Sequence, residues 1–530
     1  MKVFLCFLTA RVMPHSLFPI ILFILLSLTR TTTALALPVA DLSLMDVVAQ
    51  AIKTNPEVRD AYHDWLIRRN AVVASLGEFE PQVFASYNRE GLKRENTSQE
   101  SVALGGLPVY DDLTDKYSTG LKGALPTGAE YKLAYTLNSI RSNINPRPGR
   151  EYEAFTGADL SQPLLKGAWS GAPMVKTRLA LEDRVIGYHQ YRQKLMAGIY
   201  QVQAAYWNLA FAQQKFCIAS DTYHILKWLL DDGRVRHNVG KMSEAELLDI
   251  RSEFLQGLAA RCEAYEDQLV AMNQLKITLG YKREYNSVHK IRVQGMSRSG
   301  GWIDKQMKVH LERLSEDELN WQPDIMIKIH ELERDKMAYR YYLNQSFPEV
   351  NVNGRYGYNG YGRDNSVAWH EIQDHNYPAW SVGFEVKVPL LLGFKERREL
   401  DSARIKRKKS EESFKQTRFA VMAVVNTLVT RVKLLNQRVK AYQTASDIKK
   451  SLLNIEIRKM KMGLSHNRLV YEVNEKYADT RKKTLEQQVR YYQMVQELAL
   501  TRGSLLIDNN LESYSENTKL YSKYYEKLED

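Results

Sequence analysis

The chain has 530 residues, of which 74 are basic and 62 acidic, and its formal net charge is +12. Hydrophobic residues make up 44% and aromatic residues 10%, which can bury a core and excludes an intrinsically disordered protein. Three cysteines without a CxxC pair exclude a disulfide-rich scaffold and a cysteine-based zinc module. The mean hydropathy of −0.42 excludes a polytopic helical membrane protein. The positive charge leaves nucleic acid or a membrane surface as possible partners.

The N-terminus has the pattern of an export signal. Basic Lys2 and Arg11 precede an apolar run at residues 17–28, and no acidic residue occurs before Asp41. We expect residues 1–36 to be a signal peptide, whose cleavage removes three of the twelve excess positive charges. An uncleaved anchor helix is the alternative, although the apolar run is shorter than the ~20 residues that span a bilayer.

Two stretches of the chain repeat the same order of motifs. A proline opens a helical pattern at Pro56 and again at Pro323, and a second proline follows 25 residues later, at Pro81 and at Pro348. Proline suits the first turn of a helix and the entry of a strand, so these positions are element boundaries in both copies. Repeats of this length predict a duplicated architecture.

The duplication predicts five segments. They are a signal peptide (1–36), a first repeat (37–290), a linker (291–320), a second repeat (321–507) and a C-terminal extension (508–530).

Each copy then enters a region rich in Tyr, Gly, Asn and Thr with apolar residues at every second position. The clearest alternations are Tyr131, Leu133, Tyr135 and Leu137 in the first copy and Val382, Phe384, Val386 and Val388 in the second. Period two predicts strands with one apolar face. Porin-like strands, with that face toward lipid, and an ordinary soluble sheet fit the alternation equally well.

Long helical patterns follow the strands in both copies. Apolar residues from Val202 to Leu230 are spaced alternately three and four apart, which is the heptad seam of coiled-coil packing. Glycine-containing breaks at residues 233–243 and 460–466 separate each long helix from a returning helix. Each copy is therefore predicted to carry an antiparallel helical hairpin with a tip at its break.

This order of motifs resembles the TolC-type outer membrane efflux proteins, over roughly residues 42–506. The motifs are the Asn55-Pro56-Glu57 opening, the Phe-x-Pro strand entries, Gln162-Pro163-Leu164-Leu165-Lys166-Gly167 and the two tips. The resemblance implies an α+β membrane protein. It implies a homotrimer that closes one shared transmembrane β-barrel, continuous with a long periplasmic α-helical barrel. It also implies a location in the cell outer membrane, extending into the periplasm.

The function implied by the resemblance is a passive channel from the periplasm to the exterior, in efflux or type I secretion. Its partners would be a periplasmic adaptor protein, an inner-membrane pump of the resistance-nodulation or ATP-driven type, and outer membrane lipid. No GxSxG, Walker A or GxGxxG motif occurs, and we expect no catalysis, cofactor, metal or nucleic acid. A histidine-containing segment, 370–375, is interpreted as a polar loop. A periplasmic coiled-coil scaffold without channel activity is the alternative.

The first copy is longer than the second in its strand region. Pro81 and Pro163 are 82 residues apart, whereas Pro348 and Pro389 are 41 apart. The additional residues surround the turn-like Pro126-Thr127-Gly128 and predict an inserted hairpin. The hairpin either extends the barrel from four strands per subunit to six or forms a separate sheet.

The resemblance also implies a constriction at the periplasmic entrance. Counted from Gly463, its acidic position falls on Glu472, with Glu475 one turn later, and the acid of the first hairpin falls on Glu246. Three copies would form an acidic ring that favours cations, with a solvated helix face as the alternative. The family's tyrosine and arginine positions hold Met460 and Ser465, so its gate bonds are not reproduced here.

The hairpin tips are candidates for docking the adaptor, and ordinary turn chemistry is the alternative. Glycine permits a tight left-handed turn, and exposed apolar neighbours can insert between partner helices. The candidate residues are Val239, Gly240, Met242 and Ser243 in the first tip and Met462, Gly463, Leu464 and Ser465 in the second.

Overall fold

The computed structural model describes residues 41–143, 149–169, 171–280, 291–294, 322–388, 393–509 and 511. The expected signal peptide, most of the expected linker and most of the C-terminal extension lie outside these residues.

The first repeat alternates short helices, strands and a helical hairpin. Its elements are β1 (Asp41–Leu42), α1 (Leu44–Thr54), α2 (Pro56–Leu76), a 3-10 turn (Gly77–Phe79), β2 (Gln82–Glu95), α3 (Ser98–Ala103), β3 (Val109–Ala124), β4 (Glu130–Ser142), β5 (Glu151–Pro163), α4 (Val175–Asn238) and α5 (Glu244–Thr278).

The second repeat follows the same order with fewer strands. After β6 (Arg292–Val293) come α6 (Pro323–Gln345), β7 (Glu349–Gly362), α7 (Asn365–Gln373), β8 (Pro378–Lys387), α8 (Phe394–Lys461), α9 (Asn467–Arg502) and α10 (Leu505–Asp508). The short strands β1 and β6 pair in parallel and join the start of the first repeat to the start of the linker.

The repeated prolines occupy equivalent places in the two copies. Pro56 is the first residue of α2, where Asn55 caps the helix through its side-chain oxygen, and Pro323 is the first residue of α6, where Gln322 does the same. A proline at this position sacrifices no helical hydrogen bond, because the first N–H groups of a helix have no partner within it. The helix starts predicted from the prolines are therefore present in both copies.

Six strands form one antiparallel sheet in the order β2-β3-β4-β5-β7-β8. The inserted hairpin is the pair β3–β4, joined around Gly128, and its strands are part of this sheet rather than a separate one. The two copies meet where β5 pairs with β7, for example Phe155 opposite Asn359. Within one subunit, β2 and β8 are the edges.

The helical hairpins form a second layer in which α5, α4, α9 and α8 lie side by side in that order. With 64 and 68 residues, α4 and α8 are each about 100 Å long at 1.5 Å per residue. The predicted seam is buried where α4 meets its neighbours, with Val202, Leu209 and Leu226 almost inaccessible.

The first tip is shorter than predicted. The sequence predicts a break over residues 233–243, but α4 continues through Gly233 and ends at Asn238, so the tip is residues 239–243. Gly233 is needed for close packing rather than for a turn, because a Cβ there would lie 3.2 Å from the Ile250 side chain of α5. The second tip, residues 462–466, lies within its predicted bounds.

One expected loop is a helix. The sequence predicts a polar loop at residues 370–375, but His370 to Gln373 form the second half of α7. Asp364 caps α7 by accepting hydrogen bonds from the N–H groups of Ser366 and Val367. Ala368 and Ile372, one turn apart, bury the inner side of the helix. No group of residues suited to hold a metal occurs in the described part of the chain.

Candidate functional site: a two-faced sheet and two helical tips

The two faces of the six-stranded sheet differ sharply in polarity. Register alignment assigns one face, here called the apolar face, to Val83, Tyr87, Tyr117, Leu121, Tyr131, Leu133, Tyr135, Leu137, Ala154, Ala158, Leu160, Val350, Val352, Tyr356, Tyr358, Trp380, Val382, Phe384 and Val386. Many of these side chains are exposed in the subunit, including Val382 at 72%. Exposing so large an apolar surface to water is energetically unfavourable, whereas exposing it to lipid is not.

The opposite face, here called the polar face, carries paired charges. Lys116 Nζ lies 2.6 Å from Glu90 Oε2, Arg355 Nε lies 3.5 Å from Asp159 Oδ1, and Lys387 Nζ lies 3.5 Å from Glu349 Oε1. Its other members include Gln82, Asn88, Lys132, Asn138, Asn351 and Asn353. Alternation of an apolar and a charged face along every strand is the pattern of a barrel wall between lipid and a watery lumen.

The strands are long enough to cross a bilayer. They contain 10 to 16 residues, whereas a tilted transmembrane strand needs about 9 to 11. Midway along β2 and β3 the apolar face becomes polar, where buried Asp115 pairs with Arg89 at 3.4 Å and with Arg150 at 3.1 Å. This charged cluster indicates where the apolar band ends.

Both tips are tight turns that leave apolar side chains in the open. Gly240 and Gly463 adopt positive φ angles of 73° and 74°, which only glycine adopts without strain. Val239, Met462 and Leu464 are 62%, 65% and 73% exposed. The two tip glycines, Gly240 and Gly463, are also exposed, and Met242 is half-buried.

Ser243 and Ser465 have local structural roles at the tips. Ser243 caps α5 in a reciprocal arrangement, in which its hydroxyl accepts from the Glu246 N–H and the Glu246 carboxylate accepts from the Ser243 N–H at 3.0 Å. These hydrogen bonds lower the pKa of Glu246. Ser465 is buried and donates its hydroxyl hydrogen to the buried carboxylate of Glu456.

The predicted constriction acids have different surroundings. Glu472, on α9, accepts a hydrogen bond from Arg468 Nε at 3.2 Å, one turn before it. Glu475 is exposed, one turn further on. Glu246, on the first hairpin, feels the charge of His466 on the second. The structure therefore brings an acid of one tip near a histidine of the other.

A link between the hairpins was missed by sequence reasoning. Burial, followed by the nearby Glu253 carboxylate on α5, raises the pKa of Tyr471 on α9. Further along, Arg481 Nη1 contacts Asp221 of α4 at 2.9 Å. Counting from the tip glycines could not find these pairs, since the partners lie in different repeats and follow no shared spacing.

The comparisons with known proteins agree with this geometry. A family model described as "Outer membrane efflux protein" matches residues 314–504. No curated protein sequence matches the chain significantly. Over the second repeat, the predicted resemblance to the outer membrane efflux proteins is confirmed.

Several solved channels share the fold over most of their length. The Campylobacter jejuni CmeC outer membrane channel has a TM-score of 0.58 and 14% identity, covering 87% of this chain and 86% of that one. The Neisseria gonorrhoeae MtrE outer membrane channel, in its open state, has a TM-score of 0.57 and 14% identity, covering 87% of this chain and 89% of that one. The outer membrane protein VceC of Vibrio cholerae has a TM-score of 0.56 and 12% identity, covering 88% of this chain and 95% of that one. The α+β fold is therefore that of outer membrane channels.

Proposed function

We propose that this chain is the outer membrane channel of an efflux or secretion system, a passive conduit between periplasm and exterior. The observation that carries the proposal is the two-faced sheet, since an exposed apolar face opposite a charged face suits a wall between lipid and water. The match of residues 314–504 to the efflux family supports the same role.

The unpaired edges of the subunit favour a ring of copies. Strands β2 and β8 have open hydrogen-bonding edges, and open edges cannot lie in lipid. The two strands run in opposite directions, so β8 of one copy can pair antiparallel with β2 of the next. A head-to-tail contact of this kind repeats until the ring closes.

The helical layer has matching edges. Outer helices α5 and α8 each expose apolar residues, some of them seven apart, as in a coiled-coil seam without a partner. They are Leu248, Leu255, Val270 and Ile277 on α5 and Leu434, Ile448 and Ile455 on α8. Within each subunit, the first repeat supplies one edge of each layer and the second repeat supplies the other edge. One subunit-to-subunit contact therefore covers the edges of both layers.

We infer three copies, as the resemblance implies. Six strands per subunit then give an 18-stranded barrel, a size at which barrels enclose an aqueous channel. The long hairpins would form the periplasmic helical barrel. The exposed tip residues would dock an adaptor of an inner-membrane pump, and Glu472, Glu475 and Glu246 would give the entrance an acidic character.

Disulfide cross-linking between copies tests the proposal. With Cys217 and Cys262 replaced by serine, Leu255→Cys and Ile448→Cys together should give covalent trimers on oxidation in the outer membrane, because the two stripes face each other between copies. Gln256→Cys with Ile448→Cys is the matched control, because Gln256 is exposed but lies about 100° around α5 from Leu255.

The same protein, purified and added to a planar lipid bilayer, should give stepwise ion currents. A protein that remains monomeric and gives no current would overturn the channel and favour a periplasmic scaffold.

A further inference from the structure

Helix α7 connects β7 to β8 and lies against the sheet's apolar face. Its buried residues, Ala368 and Ile372, form a small core with Leu137 of β4 and Ala154 of β5. Tyr135 of β4 donates its hydroxyl hydrogen to Asn365 Oδ1 at 3.0 Å. The segment between β7 and β8 thus folds back over the outside of the proposed wall.

Glycines on β7 make room for this packing. A Cβ at Gly360 would lie 2.0 Å from the carbonyl oxygen of Ala368, and one at Gly362 would lie 2.8 Å from the Ala368 nitrogen. Gly354 is on the same strand and the same face, and a Cβ there would meet nothing within 4 Å. The two outer positions are therefore fitted to the helix, whereas Gly354 is not.

The flanks of α7 differ in character. Toward the periplasmic end of the strands, the Trp369 ring meets the Tyr135 ring edge-on at 5.2 Å and remains 42% exposed. Toward the outer end, Glu371 Oε2 accepts the N–H of Tyr361 at 2.7 Å. The side away from the sheet carries exposed polar residues, namely Ser366, His370 and Gln373.

We propose that α7 is an interfacial helix, lying on the outer surface of the barrel at the boundary between headgroups and acyl chains of the outer leaflet. Trp369 reaches the acyl boundary, while Ser366, His370 and Gln373 face the headgroups. Amphipathic rings suit this depth, and a helix satisfies its own backbone hydrogen bonds there. The inference rests on the proposed function, because it needs the apolar face to be in lipid.

Lipid is a better occupant of this surface than a second copy. Helix α7 lies over β4, β5 and β7 in the middle of the sheet, away from the edges that neighbouring copies would cover. The exposed apolar side chains of β8 continue on the same face toward the periplasmic end, beginning with Trp380 at 72% exposure. A band of lipid that covers Trp380 and Val382 therefore extends to Trp369.

Site-specific fluorescence in vesicles tests this placement. In the variant without Cys217 and Cys262, single cysteines are introduced by Trp369→Cys, His370→Cys and Val382→Cys and labelled with a polarity-sensitive dye. The labelled proteins are reconstituted in phosphatidylethanolamine and phosphatidylglycerol vesicles carrying nitroxide either in the headgroup or on the acyl chain.

The three labels should report three depths. Acyl-chain nitroxide should quench the label at 369 at least twofold more than the label at 370, which headgroup nitroxide should quench instead. The label at 382 should be the most strongly quenched by the acyl chain. Quenching at 382 without quenching at 369 would overturn the interfacial helix alone, and absence of quenching at both would overturn the channel itself.

A second pair of variants keeps the barrel intact. Gly360→Val should displace α7 and reduce quenching of native Trp369 emission by brominated lipid, measured as the part of the signal lost on Trp369→Phe. Gly354→Val, on the same face, should leave that part unchanged. Equal quenching in both glycine variants would contradict the proposed packing.

Discussion

The sheet and the helical layer handle apolar side chains in opposite ways. In the helical layer many are buried inside the subunit, as with Val202, Leu229 and Val432, and those exposed on the outer helices α5 and α8 form stripes. In the sheet they are exposed over one whole face, as with Val382 and Phe384. The proposed barrel accounts for this difference, since water expels apolar surface and lipid does not.

The largest effect is expected from removal of the inserted hairpin. Replacing residues 96–150, which contain β3 and β4, with a short linker leaves β2 beside β5 and keeps every strand alternation. Because barrel diameter grows roughly linearly with strand number, the outer diameter should fall by about a third. Class averages from electron microscopy of the purified oligomer measure it.

A matched deletion sharpens the result. Removing β3 alone leaves five strands per subunit and puts β2 and β4 in the same direction, so the ring should not close and no stable oligomer should be recovered. An unchanged diameter after the double deletion would show that β3 and β4 are not part of the closed wall.

Leucine and valine truncations should separate the two layers. Leu229→Ala, inside the helical layer at 1% exposure, should lower the free energy of unfolding by about 2–5 kcal/mol, because a cavity forms in a packed core. Val382→Ala, on the sheet face proposed to meet lipid, should cost well under half of that. Urea unfolding of the protein in vesicles measures both, and equal losses would contradict the assignment of the apolar face to lipid.

Acid should destabilise the helical layer through His189 on α4. Burial, then His330 and Arg192 nearby, lower its pKa to about 3. Its folded pKa is below the unfolded value of about 6.5, so above pH 6.5 the histidine is neutral in both states and costs no stability. Below pH 6.5 the unfolded state gains a proton that the folded state does not, and the free energy of unfolding falls by about 1.4 kcal/mol per pH unit as the pH drops toward 3.

The variant His189→Gln should flatten the decline of unfolding free energy with falling pH. His224→Gln, at an exposed position on the same helix, should leave the decline unchanged. The neighbouring histidine, His330, has its Nδ1 2.8 Å from Glu182 Oε2. The variant His330→Gln is therefore compared as well, to separate its contribution from that of His189. Identical pH profiles for all variants would remove His189 from this role.

The smallest expected effect concerns the entrance acids. Glu475→Gln should reduce the preference for cations over anions, measured as a reversal potential across a planar bilayer with a salt gradient. Glu472→Gln should reduce it less, since Arg468 already offsets the Glu472 charge. An unchanged potential in both variants would exclude an acidic ring at the entrance.

Much of the fold followed from local patterns. Prolines marked helix and strand starts, period-two alternation marked β4 and β8, and heptad spacing marked α4. These signals are local because capping, pleating and coiled-coil packing each depend on residues close in sequence. The break predicted to begin at Gly233 and the unexpected helix α7 are also local, but there packing of Gly233 and Ala368 against other elements decided the outcome.

The candidate site was predictable only in part. The tip glycines and their exposed neighbours could be placed by counting, whereas the buried position of Ser465 follows from its bond to Glu456. The Tyr471–Glu253 link joins two repeats and no spacing rule connects its members.

The sequence by itself determined that the chain is a duplicated unit of helix, strands and helical hairpin with one apolar face per strand. The tertiary structure decided that β3 and β4 extend a single six-stranded sheet, that β5 meets β7, and that α7 lies on the apolar face. Periodicity fixes which face of an element is apolar, but the choice of neighbour depends on contacts between residues far apart in the chain.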